Sequence, residues 1–446
     1  MSHIVARAVP FTTRLAFPHA KEIIASDRAR AQKLLAGIRP HGPNAAHRRR
    51  HEHDRHDHHE RRERHREHER EREREREDRH KHSGGGATGQ TGSGTGVDTG
   101  SGTSSSTTGV GVDVTDASVN YNATVGVGSP ATNYTMLIDT GSSNTWLGAD
   151  NKYVKTSTSK DTGDTVSVSY GSGSFSGEEY IDQVTIASSL VIKQQSIGVA
   201  SKATGFSGVD GILGIGPVDL TTDTVSNTST VPTVTDNLFS EGSISVESIS
   251  ISFEPSSTTD LANGELTFGG VDPSRYTGEI TYTPITSTSP ASDYWGINQT
   301  VAYGTGTTLL TNDAGIVDTG TTLLLLATSA FNAYQKATGA TLDSTTGLLA
   351  VTQSQYDSLQ SLYFTIEGTQ FEFTANAQIW PRALNTAIGG EEGKIYLVAS
   401  DLGSDIGQGL DFINGYGWLQ RFYSIFDTTN SRVGVANTPY TDATTN

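Results

Sequence analysis

A chain of 446 residues with no cysteine carries all 13 of its histidines between His3 and His82. Whatever the long remainder does must therefore be done without a Ser-His-Asp triad, a thiol nucleophile or a metal site built on imidazole or thiolate, which leaves Asp, Glu, Ser, Thr and Tyr. Charge divides the chain in the same way: residues 110–446 hold 34 acidic against 11 basic side chains and the first 109 hold 15 against 21, so a basic head precedes a body at −23, whose field repels nucleic acid and anionic membranes.

Residues 1–46 form the basic segment, in which Ala31, Leu34, Leu35 and Ile38 share one helical face behind an N-cap at Ser26. Residues 47–109 read as a linker in two parts. The first, 47–82, is Arg, Glu, Asp and His with a single Lys and no apolar residue from which to build a core, so it is either disordered or a charge-laddered exposed helix. His51-Glu-His53 and His56-Asp-His58-His59 are metal-ligand types, but nothing rigid fixes them in one geometry, and no metal is expected. The second part, 83–109, is nearly all Gly, Ser and Thr, a flexible composition. No stretch has the apolar length of a signal peptide or a membrane span, so if the protein is secreted its signal is missing from this sequence.

From Val110 on, Val, Ile, Thr, Tyr and Phe recur in short alternating runs broken by Gly, Asn, Asp and Pro, as in 165–170, 248–253 and 371–374. This is the pattern of many short strands, with few helices, among them 329–338 and 352–359. The fold class is mainly β, and a body of this length buries a core without disulfides. Its acidic surface suits an acid environment, where the carboxylates neutralise. The sequons Asn122-Ala-Thr124, Asn133-Tyr-Thr135, Asn227-Thr-Ser229 and Asn298-Gln-Thr300 are compatible with secretion.

One internal duplication matters: Met136-Leu-Ile-Asp139-Thr-Gly-Ser-Ser-Asn144 and Gly315-Ile-Val-Asp318-Thr-Gly-Thr-Thr-Leu323. Each copy leads apolar residues into Asp-Thr-Gly and follows it with two further residues bearing hydroxyls. The spacing is about half of the body, which suggests two similar lobes, 110–284 and 285–446, each presenting one aspartate to a cleft between them. A lone Asp before Gly is ordinarily a turn former. Two in equivalent contexts can share a proton, one acting as base towards a water while the other donates to a carbonyl. Glycosidases also use two carboxylates, but they require neither the duplicated Asp-Thr-Gly nor the Gly-rich hairpin at Tyr170-Gly-Ser-Gly-Ser174.

The body resembles the pepsin family of aspartic proteases, most closely the polyporopepsin-type enzymes of basidiomycete fungi. Proton sharing between paired aspartates is the established behaviour of that family's dyad. The resemblance implies a bilobal fold of two β-barrel-like lobes and an aspartic endopeptidase acting at acid pH on protein or peptide substrates, with a preference for large apolar side chains around the cut. It implies no metal and no organic cofactor, a monomer, and a secreted or vacuolar location. Asp139 and Asp318 match the catalytic pair. Ser142 and Thr321 match hydroxyls that hydrogen-bond the outer carboxylate oxygens; Thr140 and Thr319 match the pair that cross-links the two loops, with Gly141 and Gly320 beside them. Tyr170, Gly171 and Ser172 match the flap, Trp146 the indole that partners the flap tyrosine, and Tyr294 a cleft-lining tyrosine. Leu137, Tyr170, Phe175 and Ile212 are expected in side-chain pockets. A catalytically silent binding or inhibitor protein of the same fold is the alternative, although neither Asp-Thr-Gly is damaged here.

Asp210-Gly-Ile-Leu-Gly214 matches the apolar-Gly element behind the first catalytic loop. The second such element reads Ile413-Asn414-Gly415, with a polar residue where pepsins usually have Leu. The basic head looks like a propeptide remnant. It is expected over the acidic cleft at neutral pH, with Lys21 or Lys33 paired to the dyad, and to be released by acid and cut within 83–109.

Overall fold

The computed structural model describes residues 19–37 and 107–446. The readings for the charged run with His51, His53, His56, His58 and His59, for the Gly/Ser/Thr stretch up to residue 106, and for Ile38 lie outside these residues. Among the described residues strands dominate, and the first strand of the body is Val110–Asp116.

Two sheets carry the architecture, one of thirteen strands and one of seven. Alternation fixes which face of each strand turns inward. In Lys160–Tyr170, Val166, Val168 and Tyr170 are buried while Ser169 is exposed. Ser248–Ser252 is buried throughout and lies between Leu261–Phe268 on one side and Phe422–Asp427 on the other. Phe422–Asp427 and Arg432–Asn437 come from the far end of the chain, yet they join the larger sheet, and Arg432–Asn437 pairs with its edge strand Thr277–Pro284.

The duplicated motif has a duplicated topology. Thr132–Asp139 runs parallel to Gly211–Gly214, with Asp139 beside Gly214, and Thr145–Leu147 returns antiparallel on the other side of that strand. Thr307–Val317 likewise runs parallel to Phe412–Asn414, with Leu324–Leu326 returning antiparallel. In both copies the Asp-Thr-Gly loop is pinned between two strands that share one neighbour. The mainly β class expected from the sequence is what the described residues adopt.

Helix α1 (Ala20–Leu35) belongs to the same compact unit as the body. It begins at His19, not at Ser26. The backbone N–H of His19 donates to the Glu22 carboxylate, and Gly37, with φ of +66°, closes the other end in the left-handed region. The earlier start adds Ala20 and Ile23 to the buried face, which continues through Asp27, Arg30, Ala31 and Leu34. Two charged residues therefore sit in the middle of an otherwise apolar stripe. Helix Thr328–Thr338 matches expectation, whereas the expected 352–359 helix is reduced to Gln353–Tyr356. Helices Val234–Ser240 and Tyr416–Leu419 had no strong periodic signal, being seven and four residues long.

Candidate active site

Asp139 and Asp318 are fully buried, and the two loops that carry them mirror one another. Ser142 Oγ donates to Asp139 Oδ2 at 2.5 Å, and Thr321 Oγ1 donates to Asp318 Oδ2 at 2.6 Å. The N–H of Gly141 reaches Asp139 Oδ1 at 3.0 Å, and that of Gly320 reaches Asp318 Oδ1 at 3.1 Å. Beneath them, Thr140 N donates to Thr319 Oγ1 at 2.9 Å and Thr319 N to Thr140 Oγ1 at 3.0 Å. Each threonine hydroxyl then donates to a carbonyl of the opposite copy, Val317 or Ile138. A side chain at Gly141 would meet Asp318 Oδ1 at 2.6 Å, and one at Gly320 would meet Asp139 Oδ1 at the same distance. Only glycine lets each loop pass so close to the other carboxylate.

Helix α1 lies on this pair. Arg30 Nε donates to Asp318 Oδ2 at 2.6 Å and Nη2 to Asp318 Oδ1 at 2.9 Å, and Nη2 also donates to Asp139 Oδ1. The cation on the dyad is thus Arg30, not Lys21 or Lys33. Lys21 lies beside Gly347, and Lys33 borders a small hollow with Leu34 and Tyr294. The docked face explains the difference, because the inward stripe passes through Ile23, Asp27, Arg30, Ala31 and Leu34 and leaves Lys21 and Lys33 off it. Burial raises the Asp318 carboxyl, but the charge and hydrogen bonds of Arg30 outweigh it and hold the group below its ordinary value.

One turn before Arg30, Asp27 accepts Thr322 N at 3.1 Å and Leu323 N at 2.9 Å, directly after the second Asp-Thr-Gly. Burial and the nearby Asp318 charge, working against those two N–H groups, push the Asp27 carboxyl up to about 7.

The hairpin at Tyr170 closes over α1. A side chain at Gly171 would overlap the Ala29 carbonyl at 2.2 Å. Tyr170 is only 7% exposed, so it is not the open tip that its Gly-rich turn suggests. Its ring meets Phe206 edge-on at 5.4 Å and lies 6.5 Å from Trp146. The indole Nε1 of Trp146 and the hydroxyl of Tyr170 are both buried; burial and the Asp139 charge raise the hydroxyl's pKa, and the indole beside it works the other way. Phe175 stacks on Trp146 at 4.3 Å and serves as backing; Phe206, which the sequence did not single out, takes its place at the surface. A hollow of about 340 Å³ remains under α1, bordered by Leu137, Tyr170, Phe206 and Ile212, with Ser172 at its rim. Tyr294 is buried on the other side, its hydroxyl 3.5 Å from the Leu34 carbonyl.

The polar departure at Asn414 has a partner. Its Nδ2 donates to Gln299 Oε1 at 3.0 Å, and Gln299 Nε2 donates back at 3.2 Å, both side chains being fully buried. The Asn414 carbonyl accepts the N–H of Asp318 at 3.1 Å, so the paired amides sit directly behind the second Asp-Thr-Gly loop.

Sequence reasoning missed Arg30, Asp27, Phe206 and Gln299. The available signal for the first two was an Asp and an Arg three residues apart on the apolar face of a helix, where unpaired charges are costly. The other two carry no local signature.

A family model described as "Eukaryotic aspartyl protease" matches residues 120–438. The chain is 65% identical to polyporopepsin of Irpex lacteus over 334 residues, 74% of this chain and 98% of that one. It is 30% identical to pepsin A of Suncus murinus, over 71% of this chain and 81% of the relative. The crystal structure of the aspartic proteinase from Irpex lacteus superposes with a TM-score of 0.74 at 63% identity, covering 76% of this chain and 99% of the other.

Proposed function

Because this chain belongs to the eukaryotic aspartyl protease family and is an aspartic endopeptidase acting on proteins, we propose that Asp139 and Asp318 are its catalytic dyad and that α1 is an inhibitory propeptide segment. The observation that carries the reading is a single nitrogen, Arg30 Nη2, bonded to Oδ1 of both carboxylates. Two inner oxygens that converge on one donor also converge on one water once the guanidinium leaves. Two buried carboxylates so close do not both ionise, so they hold one proton between them. One carboxylate takes a proton from the water as it attacks the scissile carbonyl, and the other protonates the carbonyl oxygen. Ser142, Thr321 and the N–H groups of Gly141 and Gly320 fix the carboxylates, and the crossed Thr140 and Thr319 fix the loops.

Substrate enters as an extended strand beneath the Tyr170 hairpin, with Gly171 and Ser172 at its backbone. Leu137, Tyr170, Phe206 and Ile212 favour large apolar side chains next to the cut. Residues 110–284 and 285–446 act as the two lobes. Secretion, or delivery to a vacuole, fits an acid-working enzyme. Of the four sequons, Asn133 and Asn227 are exposed and suited to carry glycans, whereas Asn122 is buried.

The test is hydrolysis of a denatured protein at acid pH, with and without a statine-type peptide inhibitor, by the wild-type chain and by Asp139→Asn and Asp318→Asn. Activity confined to the wild type and blocked by the inhibitor supports the dyad. Substantial residual cleavage by either folded variant overturns it.

A further inference from the structure

On α1, Arg28 and Gln32 lie one turn apart and face the segment that begins at Asp401. Arg28 Nε donates to the Asp401 carbonyl at 2.9 Å and Nη2 to Asp401 Oδ2 at 2.9 Å, while Gln32 Nε2 reaches the Gly403 carbonyl at 3.4 Å. The carboxylate is held from behind. Its Oδ1 accepts Thr328 Oγ1 at 2.7 Å and Gly403 N at 2.9 Å, which leaves Oδ2 turned towards the helix. Asp401 also ends the strand Ala399–Asp401, paired in parallel with Leu324–Leu326, the strand that leaves the second Asp-Thr-Gly loop. This acceptor pair is therefore a preset part of the cleft wall and does not depend on α1 for its shape.

A backbone carbonyl and a carboxylate oxygen side by side match the Nε and Nη donors of a guanidinium, a two-point fork that the single ammonium of lysine does not reproduce. Arg28 and Arg30 are two residues apart, about 3 Å along the helix axis but roughly 200° around it, so Asp401 and the dyad receive side chains from different faces of α1. Arg30 is at the dyad, so Asp401 meets a flank of α1 other than the one that covers the carboxylates.

We propose that, once α1 has left the cleft, the carbonyl and Oδ2 of Asp401 receive the guanidinium of a substrate arginine lying along the flank that Arg28 now covers, and that Arg28 holds this place in the uncut chain. The inference rests on the dyad and propeptide reading above and adds a basic subsite to the apolar pockets. An acidic body recruits basic substrates in general, but Asp401 selects arginine at one position.

The test uses the full-length chain after acid activation, assayed at about pH 5, where an ordinary aspartate is largely ionised. A peptide with a fixed apolar pair at the cut carries arginine, lysine or citrulline at each flanking position in turn. The expected result is a kcat/KM ratio of arginine to citrulline of about three- to tenfold at one position, with lysine between them, because a partly exposed ion pair contributes modestly. In Asp401→Asn, whose side-chain oxygen still accepts from Thr328 and Gly403, that ratio should fall to near one. Equal ratios in the two enzymes overturn the proposal. So does an Asp401→Asn variant that activates faster but keeps the arginine preference, since Asp401 would then only fasten α1. Failure to cleave any peptide in the series would instead count against the dyad reading.

Discussion

Arg30 grips Asp318 with two parallel hydrogen bonds, Nε to Oδ2 at 2.6 Å and Nη2 to Oδ1 at 2.9 Å. The pair is buried, so its strength depends on both partners being present: removing one leaves the other charge without solvent or counter-ion. An arginine in this place also cannot be neutralised within any working pH range, which leaves the carboxylates as the only groups of the contact that titrate.

Replacing Arg30 with alanine should weaken the docking of α1. The uncut Arg30→Ala chain is expected to cleave a small peptide at least about tenfold faster than the uncut wild type, with Arg30→Lys between them because a lysine keeps the charge but not the fork. The measurement is initial rate at mildly acid pH, with mass spectrometry showing that the chain is still whole. Equal rates for the wild type and Arg30→Ala would exclude Arg30 as the inhibitory contact.

The pH of release follows from two carboxyls of opposite sign. Asp318 is held below its ordinary 3.8 by Arg30, so its contribution to docking is present above that value and is lost as pH falls below it. Asp27 is raised to about 7, so its contribution is complete below 3.8 and is lost as pH rises towards 7. Acid therefore loosens α1 through the dyad and not through Asp27. The rate of mass loss by the full-length chain should climb steeply below about pH 4. A climb centred between pH 6 and 7 would point instead to the ten histidines of residues 47–82.

Stability should decline towards neutral pH. Burial outweighs the Ser196 hydroxyl and pushes Glu179 up to about 7 from an ordinary 4.5, and burial pushes Asp116 up to about 6 against the Tyr416 hydroxyl. Glu179 Oε2 and Asp116 Oδ2 are buried acceptors without partners, as suits protonated acids. A raised carboxyl stabilises the fold fully below its unfolded value, and this contribution disappears as pH rises through the folded one. For Glu179 that is on the order of 3 kcal/mol between pH 4.5 and 7. Thermal melting at pH 4 and pH 7.5 should show a smaller drop for Glu179→Gln than for the wild type. Identical drops would remove Glu179 from the account.

The amide pair behind Asp318 should behave as a unit. Asn414→Leu alone strands a buried Gln299 amide and is expected to cost about 2–3 kcal/mol, whereas Asn414→Leu with Gln299→Leu should recover most of the loss. Urea denaturation of the two single variants and the double variant gives the coupling. Additive losses would mean that the two amides stabilise the fold independently.

What the sequence determined by itself is what local chemistry encodes. Alternating Val, Tyr and Ser in 165–170 sets the inward face of a strand, and Asp-Thr-Gly after an apolar run marks a tight loop at the end of a buried strand. Because the motif occurs twice, its two halves could be matched without coordinates, and the family, the mainly β fold and the aspartates to examine followed. Tertiary structure decided which residues meet. Arg30 faces the dyad, in place of Lys21 or Lys33, because the face of α1 that docks runs through Ile23, Asp27, Arg30 and Leu34, and the docking of that face is a tertiary event. Tyr170 is buried because α1 fills the cleft beneath its hairpin, and Phe206 borders the hollow because Phe175 is spent on stacking against Trp146. Gln299 and Asn414 are 115 residues apart on strands that flank Thr307–Val317 from either side, and only the closing of that sheet gives each buried amide its partner. Hydrogen bonds and ion pairs between distant segments leave no periodic trace in the chain, since their energy depends on geometry that exists only after the sheets have closed.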